Sequence, residues 1–204
     1  RAAGRGRGRA PGRGCNGGPG AHVEKAADVD GRRALAAERL WLRRASGPGA
    51  PCYYYWTPST TPDPRTLLVA VHGIARDARE QALAWRTLAR RLGCALVAPL
   101  FDRVTAPGYQ QLGWADGRAR ADRLLETIVG EVAAAGGAGT PRLVLAGYSG
   151  GAQFCHRYAM SRPARVRALI VGAAGWYTWP TAARPWPLGT DLRAVPGAAA
   201  IDLD

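Results

Sequence analysis

The stretch RLVLAGYSGG, residues 142–151, joins a buried strand to the start of a helix. Its apolar first half is typical of a parallel strand that is covered on both faces. The last five residues fit the pattern G-x-S-x-G, and helical spacing begins directly after Ser149. A sharp strand-to-helix turn lifts a serine side chain above the edge of a sheet. The stretch therefore predicts Ser149 as a candidate nucleophile.

Ser149 also has a simpler interpretation, as a serine that caps a helix after a glycine-rich turn. The chain contains 27 glycines, so the motif alone is weak evidence. A second motif favours the nucleophile. Val71-His72-Gly73-Ile74 ends another apolar strand, where a loop that binds an oxyanion is expected in such a fold.

Strand and helix patterns alternate along the chain from residue 66 onward. Apolar or β-favouring runs predict six strands, at 40–44, 52–57, 66–73, 94–101, 142–149 and 166–175. Helical spacing predicts three helices, at 78–92, 118–135 and 150–161. Such alternation predicts an α/β fold with a doubly wound, mostly parallel sheet. The aromatic and proline-rich segment after residue 175 is predicted to be an ordered loop.

Four stretches together resemble the α/β-hydrolase family. They are VAVHG (69–73), LVAPLF (96–101), LAGYSGG with the following QFCHRYAM (145–160), and ALIVGAAGWYTWP (168–180). The resemblance covers roughly residues 38–185. It implies a sheet of the α/β-hydrolase type, incomplete at the C-terminus.

The resemblance also implies a chemistry and a set of site residues. The expected activity is hydrolysis of an ester, thioester or amide bond in a small acyl substrate, through an acyl-serine on Ser149. The backbone N–H groups of Ile74 and Gly150 would form the oxyanion hole. The residues expected to support the loop and the nucleophile elbow are His72, Gly73, Gly147, Tyr148 and Gly151. No cofactor and no metal are expected.

The chain departs from the family in its histidines. In the family the acid and then the histidine follow the nucleophile. The histidine after Ser149 is His156, seven residues along the same helix and therefore about 10 Å further along its axis. We expect it to be a packing or surface residue, and His22 is a poor candidate for the base.

The candidate acids are equally few. Asp191, Asp202 and Asp204 follow the serine, and only Asp191 is a conceivable triad acid. In the family that acid follows a seventh strand, which is not recognisable here. The sequence therefore predicts a fragment with the nucleophile half of a triad, inactive by itself.

Several aromatic side chains follow the strand beside the nucleophile. Trp176, Tyr177, Trp179 and Trp186 are placed at the end of the sheet where open α/β folds bind ligands. They would either form the wall of an acyl pocket or cover the sheet edge, and the sequence does not separate these alternatives.

The formal net charge of +13 is concentrated near the N-terminus. Residues 1–50 contain eleven Lys and Arg against four Asp and Glu, which is about half of the excess. We expect residues 1–37 to be disordered or weakly ordered and 38–204 to form a partial hydrolase domain. Binding of nucleic acid through the arginines is unlikely on composition alone, because coding bias produces the same residues.

The remaining composition excludes some classes of protein. No apolar run is long enough to span a bilayer, and no apolar signal segment follows the basic N-terminus. The sequence does not decide the compartment and only slightly favours the cytoplasm. Because the chain does not begin with Met, a lost signal peptide stays an open alternative. Cys94 and Cys155 fall in apolar patterns and are expected to be buried free thiols.

Two alternatives to a hydrolase stay open. One is a non-catalytic relative that binds acyl compounds or a partner, and the other is a nucleic-acid-associated protein that uses the basic arm. Labelling of Ser149 by a fluorophosphonate would favour the hydrolase, and a steeply salt-dependent affinity for nucleic acid would favour the last.

Overall fold

The computed structural model describes residues 39–46, 52–61, 65–114, 120–136 and 140–193. The six strands in this part of the chain are β1 (Trp41–Arg44), β2 (Tyr53–Thr57), β3 (Thr66–Val71), β4 (Ala95–Leu100), β5 (Arg142–Tyr148) and β6 (Val166–Gly172). The α-helices are α1 (Ala78–Arg91), α2 (Ala121–Gly136) and α3 (Gly150–Ser161). Short 3-10 turns cover Tyr109–Gln111 and Pro163–Arg165. The predictions for residues 1–37 lie outside the described residues.

The strands form one sheet in the order β1-β2-β4-β3-β5-β6. The first two pairings are antiparallel, and β4-β3, β3-β5 and β5-β6 are parallel. Parallel neighbours need crossover connections, and the helices supply them. The predicted mostly parallel α/β sheet is confirmed.

Side chains of β3 alternate between two separate cores. Leu67, Val69 and Val71 pack in a cluster with buried residues of α2 and α3, and Leu68 and Ala70 pack in a second cluster with α1. All five side chains are buried. A strand that is covered on both faces reads as a continuous apolar run, which is how the sequence identified it.

An aspartate anchors the N-terminal end of helix α1 and of helix α2. Asp77 caps α1 by accepting a hydrogen bond from the amide of Glu80 at 2.8 Å. The buried Asp122 in the first turn of α2 accepts from Arg120 and from Arg162 at the end of α3. Burial alone would raise the pKa of Asp122, but these two guanidinium groups lower it overall. The ion pair therefore ties α2 to α3.

The predicted strand 166–175 ends earlier than expected, at Gly172. Ala173 has a φ of 49°, a left-handed conformation that ends the strand. Among the described residues, no strand pairs with the outer side of β6, and the side chains of Leu169 and Ile170 are 39% and 43% exposed. This edge of the sheet is apolar and open within the described residues.

Among the described helices, none combines the length and the apolar character needed to span a bilayer.

Candidate active site

Ser149 stands at the turn between β5 and α3 in a strained conformation. Its φ is 54° and its ψ is −119°, in a region that costs a non-glycine residue on the order of 1–3 kcal/mol. It occupies the N-cap position of α3, but its side chain makes no capping hydrogen bond. A capping serine normally has extended backbone angles and a bonded side chain. The capping interpretation of Ser149 therefore does not fit the geometry.

Two glycines of the motif are required by close backbone approach. A Cβ on Gly147 would lie 2.4 Å from the carbonyl carbon and oxygen of Gly151. A Cβ on Gly151 would lie 2.1 Å from the carbonyl oxygen of Val71. Neither position has room for a side chain, so the first turn of α3 packs directly on β5 and β3. The serine is held at the carboxyl edge of the sheet by this contact.

Tyr148 precedes the serine, and its side chain is exposed. A Cβ on Gly172 would lie 3.4 Å from Cδ2 of its ring, so the ring lies beside the end of β6. The amide of Ser149 donates to the carbonyl of Gly172 at 3.0 Å. The turn is thereby joined to the neighbouring strand.

The segment that follows β3 lies against the serine. A Cβ on Gly73 would be 3.7 Å from Cβ of Ser149 and 3.6 Å from the carbonyl oxygen of Tyr148, which is ordinary van der Waals distance. Gly73 of the predicted loop and the predicted nucleophile Ser149, 76 positions apart in the sequence, therefore meet at one edge of the sheet.

His72 is buried and uses both ring nitrogens. Nε2 accepts a hydrogen bond from the amide of Phe101 at 3.0 Å, so Nδ1 carries the proton and donates to the carbonyl of Gly73 at 2.9 Å. Burial lowers the pKa of His72 to about 4, which keeps the ring neutral. Such a histidine has no nitrogen left for Ser149.

The same contacts orient the amide of Ile74. The carbonyl of Gly73 accepts from His72 and also from the amide of Arg76 at 3.0 Å. Because a trans peptide is planar, fixing this carbonyl also fixes the N–H of Ile74 on the opposite side. The nitrogen of Ile74 would lie 3.3 Å from a Cβ on Gly150, and the side chain of Ile74 is exposed. The nitrogen of Ile74 is therefore a close neighbour of Gly150, the residue that follows the serine.

Arg76 was not singled out by the sequence, yet it anchors this loop. Its φ is 62°. The guanidinium donates to four backbone carbonyls of the segment after β4, those of Phe101, Asp102, Ala106 and Pro107. These carbonyls are 25 to 31 positions from Arg76, and only folding brings them near its side chain. No local sequence pattern therefore predicts the role of Arg76.

Tyr109 is the second residue that sequence reasoning missed. It is buried, and its hydroxyl donates to the carbonyl of His72 at 3.0 Å. The guanidinium carbon of Arg76 lies 4.9 Å from the centre of its ring. Tyr109 and Arg76 together join the loop after β3 to the segment after β4.

His156 is buried, as the packing interpretation predicted. Nε2 accepts from the amide of Thr178 at 3.0 Å, and Nδ1 donates to the carbonyl of Ala152 at 2.9 Å. Burial lowers the pKa of His156 to about 4. Both described histidines are therefore neutral packing residues, and neither is free to act as a base for Ser149.

Arg157, next to His156, is completely buried. It donates to the hydroxyl of Thr178 and to the carbonyl of Gln110, each at 2.8 Å. No described carboxylate forms an ion pair with it, and its Nη2 has no hydrogen-bond partner. Burial lowers the pKa of Arg157 to about 10, so the side chain remains a cation at neutral pH.

The aromatic side chains after β6 divide into two groups. Trp186 is buried and packs on Trp114, with ring centres 4.7 Å apart. Trp176, Tyr177 and Trp179 are about half exposed or more. Trp186 thus belongs to the core, whereas the other three remain available for a pocket wall.

Asp191 forms an ion pair with Arg193 in its own loop. Its carboxylate accepts from the side chain of Arg193 at 2.7 and 2.9 Å and from the amide of the same residue at 3.0 Å. These hydrogen bonds lower the pKa of Asp191 to about 2. Asp202 and Asp204 lie outside the described residues.

The thiols of Cys52, Cys94 and Cys155 are free and buried, which confirms the prediction for the last two. Burial raises the pKa of Cys155 above its usual range, so it is an unreactive thiol. Within the described ranges, no cluster of three or more potential metal ligands is found.

The fold of the chain is similar to that of several solved hydrolase structures. No protein-family model and no curated protein matches the chain. Among solved structures, it is similar to poly(aspartic acid) hydrolase-1 from Sphingomonas sp. KT-1, with 25% identity and a TM-score of 0.64 over 77% of this chain and 64% of that one. It is also similar to LpqC, a poly(3-hydroxybutyrate) depolymerase from Bordetella parapertussis, with 25% identity and a TM-score of 0.62 over 78% of this chain and 61% of that one.

A third similar structure is esterase LipW from Mycobacterium marinum, with 18% identity and a TM-score of 0.51 over 80% of this chain and 53% of that one. The chain spans less than two thirds of the length of each of these three structures. All three are named as hydrolases, depolymerases or esterases, and their similarity to this chain is one of fold.

Proposed function

We propose that this chain, which has the α/β-hydrolase fold, carries the nucleophile and the oxyanion hole of a serine hydrolase. Ser149 would attack an ester, thioester or amide carbonyl and form an acyl-serine. The observation that carries the proposal is the conformation of Ser149: its backbone is strained, and its side chain makes no capping hydrogen bond. Strain of this kind is typical of functional positions, where the surrounding structure enforces it.

The oxyanion would form between the amides of Ile74 and Gly150. An amide at the first position of a helix has no partner within the helix, and the helix dipole adds favourable potential there. The carbonyl of Gly73 is held from two sides, so the amide of Ile74 is oriented before a substrate arrives. Donors that need no reorganisation stabilise a developing negative charge most strongly.

The general base is the part of the mechanism that no described histidine supplies. His72 and His156 already use both ring nitrogens, and protonating either would break a buried hydrogen bond. Without a base, the hydroxyl of Ser149 is a weak nucleophile. We therefore expect slow, Ser149-dependent hydrolysis of p-nitrophenyl acetate by the 204-residue chain, at the level an oxyanion hole sustains alone.

Two of the similar structures are named for hydrolysis of polymers, poly(aspartic acid) and poly(3-hydroxybutyrate). The backbone of both polymers consists of carbonyl-linked units, which suits a site of this chemistry. The half-exposed Trp176, Tyr177 and Trp179 would then form the wall along which an acyl unit lies. The substrate class that we infer is a carboxylic ester or a related acyl compound.

Covalent labelling tests the nucleophile. A fluorophosphonate probe should modify the chain slowly at Ser149, identified by peptide mass spectrometry, and Ser149→Ala should abolish the adduct. Ser161→Ala is the matched control, because Ser161 ends the same helix and donates to the carbonyl of Tyr158 at 3.0 Å. That variant should label like the unmodified chain.

The opposite result is equally informative. If Ser149→Ala labels as well as the parent chain, Ser149 is not the nucleophile, and a non-catalytic acyl-binding protein becomes the better hypothesis. The closed hydrogen bonding of both described histidines is the observation in favour of that second function. Hydrolysis at a normal enzymatic rate, lost in Ser149→Ala, would instead show that the chain has a base elsewhere.

A further inference from the structure

Tyr109 lies between the loop after β3 and the first turn of α3, the two segments that would supply the amides of the oxyanion hole. Its ring centre is 4.8 Å from that of His72 and 5.5 Å from that of Phe101, and the ring is completely buried. Burial raises the pKa of Tyr109, so the hydroxyl keeps its proton and donates to the carbonyl of His72. The ring is enclosed by neighbours and has little freedom to move.

The hydroxyl of Tyr109 occupies the space of a missing side chain. A Cβ on Gly150 would lie 2.6 Å from this oxygen, which is far inside van der Waals contact. The next nearest atoms would be the nitrogen of Ile74 at 3.3 Å and Cγ of Gln110 at 3.4 Å. The hydroxyl therefore approaches the residue after the nucleophile as closely as it does because that residue is a glycine.

The loop after β3, which Tyr109 contacts, also holds the residues just before Tyr109. The guanidinium of Arg76 donates to the carbonyls of Ala106 at 3.1 Å and Pro107 at 2.8 Å, just before the turn that carries Tyr109. Arg76 and His72 belong to the loop after β3. Hydrogen bonds from Arg76 and from Tyr109 thus run in opposite directions between that loop and residues 101–109.

We propose that Tyr109 is a positioning residue for the oxyanion hole and that Tyr109 and Gly150 act as a matched pair. The hydroxyl holds the peptide between His72 and Gly73, the one before the peptide that presents the amide of Ile74. It also sets the distance between this loop and the first turn of α3, which presents the amide of Gly150. The inference rests on the proposed function, since it concerns what these two amides bind.

An arylboronic acid measures the hole without requiring a base. The oxygen of Ser149 adds to the empty orbital of boron, a B–O bond forms, and the hydroxyl proton passes to the buffer. The resulting four-coordinate boron carries the negative charge, with its oxygen substituents placed where an oxyanion would form. The affinity for phenylboronic acid, measured by calorimetry, therefore reports the donors directly.

The test is a double-mutant cycle on Tyr109→Phe and Gly150→Ala. Tyr109→Phe keeps the ring stacking but removes the hydrogen bond, and we expect phenylboronic acid to bind about tenfold more weakly. Gly150→Ala should weaken binding further than that, because its Cβ collides with the hydroxyl. In the double variant the collision with the hydroxyl is gone, and only the contacts with the nitrogen of Ile74 at 3.3 Å and with Gln110 at 3.4 Å remain. We therefore expect tighter binding than in Gly150→Ala alone.

Tyr54→Phe is the matched control. Tyr54 is also a buried tyrosine, and its hydroxyl bonds Glu131 at 3.2 Å, away from the site. This variant should bind phenylboronic acid like the parent chain even if its thermal midpoint falls. A loss of affinity common to Tyr54→Phe and Tyr109→Phe would mean general destabilisation and would overturn the proposal.

The remaining outcomes separate the inference from its premise. If Ser149→Ala binds the boronate as well as the parent chain, the proposed function fails. If Ser149→Ala abolishes binding while Tyr109→Phe leaves it unchanged, or if the two effects in the cycle simply add, only the role of Tyr109 fails. Thermal midpoints of the four chains show whether any variant is unfolded, and Tyr109→Trp offers a second, bulkier variant that should also weaken binding.

Discussion

Leu145 in β5 and Leu169 in β6 are direct partners in the parallel register, but their surroundings differ. Leu145 is completely buried, whereas Leu169 is 39% exposed. One strand pairing thus separates a completely buried position from one that is partly exposed among the described residues. The candidate nucleophile belongs to the closed region, and the exposed aromatics belong to the open one.

The difference shows where the chain enforces its geometry. Around Ser149, backbone atoms of three segments are so close that two glycines have no room for a Cβ. Such crowding can hold a strained residue in place, because any relaxation would move the central strands. Beyond β6, the loop is held by Thr178, which bonds His156 and Arg157 of α3, and by local contacts such as the pair of Asp191 and Arg193.

The largest expected effect comes from filling the crowded turn. In Gly151→Ala, the new Cβ would meet backbone atoms of Val71 and His72, which have no means of moving aside. We expect a loss of about 3 kcal/mol or more in the free energy of unfolding, measured by urea denaturation followed by circular dichroism.

Gly130→Ala is the matched control for that substitution. Gly130 lies in α2, and a Cβ there would meet nothing within 4 Å. Alanine should stabilise the helix by about 0.5–1 kcal/mol relative to glycine. Equal urea midpoints for Gly151→Ala and the parent chain would show that α3 does not pack on β3 as described.

The paired leucines test the comparison directly. Leu145→Ala removes a completely buried side chain and should cost about 2–5 kcal/mol. Leu169→Ala removes a side chain that is already partly in solvent, and we expect a loss of under about 1 kcal/mol. Similar losses at the two positions would show that Leu169 is covered in solution.

Acid should destabilise the fold through the two buried histidines, His72 and His156. The pKa of His72 and of His156 is about 4 in the folded chain, against an ordinary value of 6.5. Between these values the unfolded chain binds more protons, so stability is fully present above pH 6.5 and falls as the pH drops toward 4. Each histidine contributes roughly 3 kcal/mol at most.

The measurement is the urea midpoint at several pH values in that window. His156→Gln should remove about half of the pH dependence while leaving the part due to His72. A flat dependence between pH 6.5 and 4 in the parent chain would contradict the neutral, fully bonded state of both rings.

The outer edge of β6, which is open among the described residues, predicts association with a second copy. Long apolar edges pair with other chains, and β6 offers Leu169 and Ile170 at such an edge. Leu169→Lys should shift the chain toward monomer in size-exclusion chromatography. Leu83→Lys, on helix α1 and also 39% exposed, is the matched control and should leave the elution volume unchanged. Equal behaviour of the two variants would show that exposure alone, and not the strand edge, governs association.

The elements could be predicted from sequence because each has a local pattern. The runs at 66–71 and 95–100 are almost entirely apolar because both faces of their strands are covered. The boundaries predicted for these two strands, 66–73 and 94–101, agree with the observed ones within about two residues. Ser149 and the loop at His72 could be proposed as site residues because a motif and its position in the sheet coincide.

The contacts that shape the site have no local pattern. Arg76 meets carbonyls 25 to 31 positions away, and the amide that bonds His156 is that of Thr178, 22 positions away. The role of Tyr109 depends on a side chain that Gly150 lacks, 41 positions later. Such features follow from the packing of distant segments, so the sequence shows only an arginine, a tyrosine and a glycine among many.

The smallest expected effect concerns Asp191, the one described carboxylate that the sequence considered as a triad acid. Both of its oxygens bond Arg193, and its backbone amide and carbonyl bond Arg184 and Trp186 within the same loop. A triad acid instead holds a histidine in the correct tautomer, and both described histidines obtain their partners elsewhere. Asp191→Asn should therefore leave the rate of fluorophosphonate labelling at Ser149 unchanged. A loss of tenfold or more, with an unchanged thermal midpoint, would show that Asp191 acts on the nucleophile and that the loop after β6 belongs to the catalytic machinery.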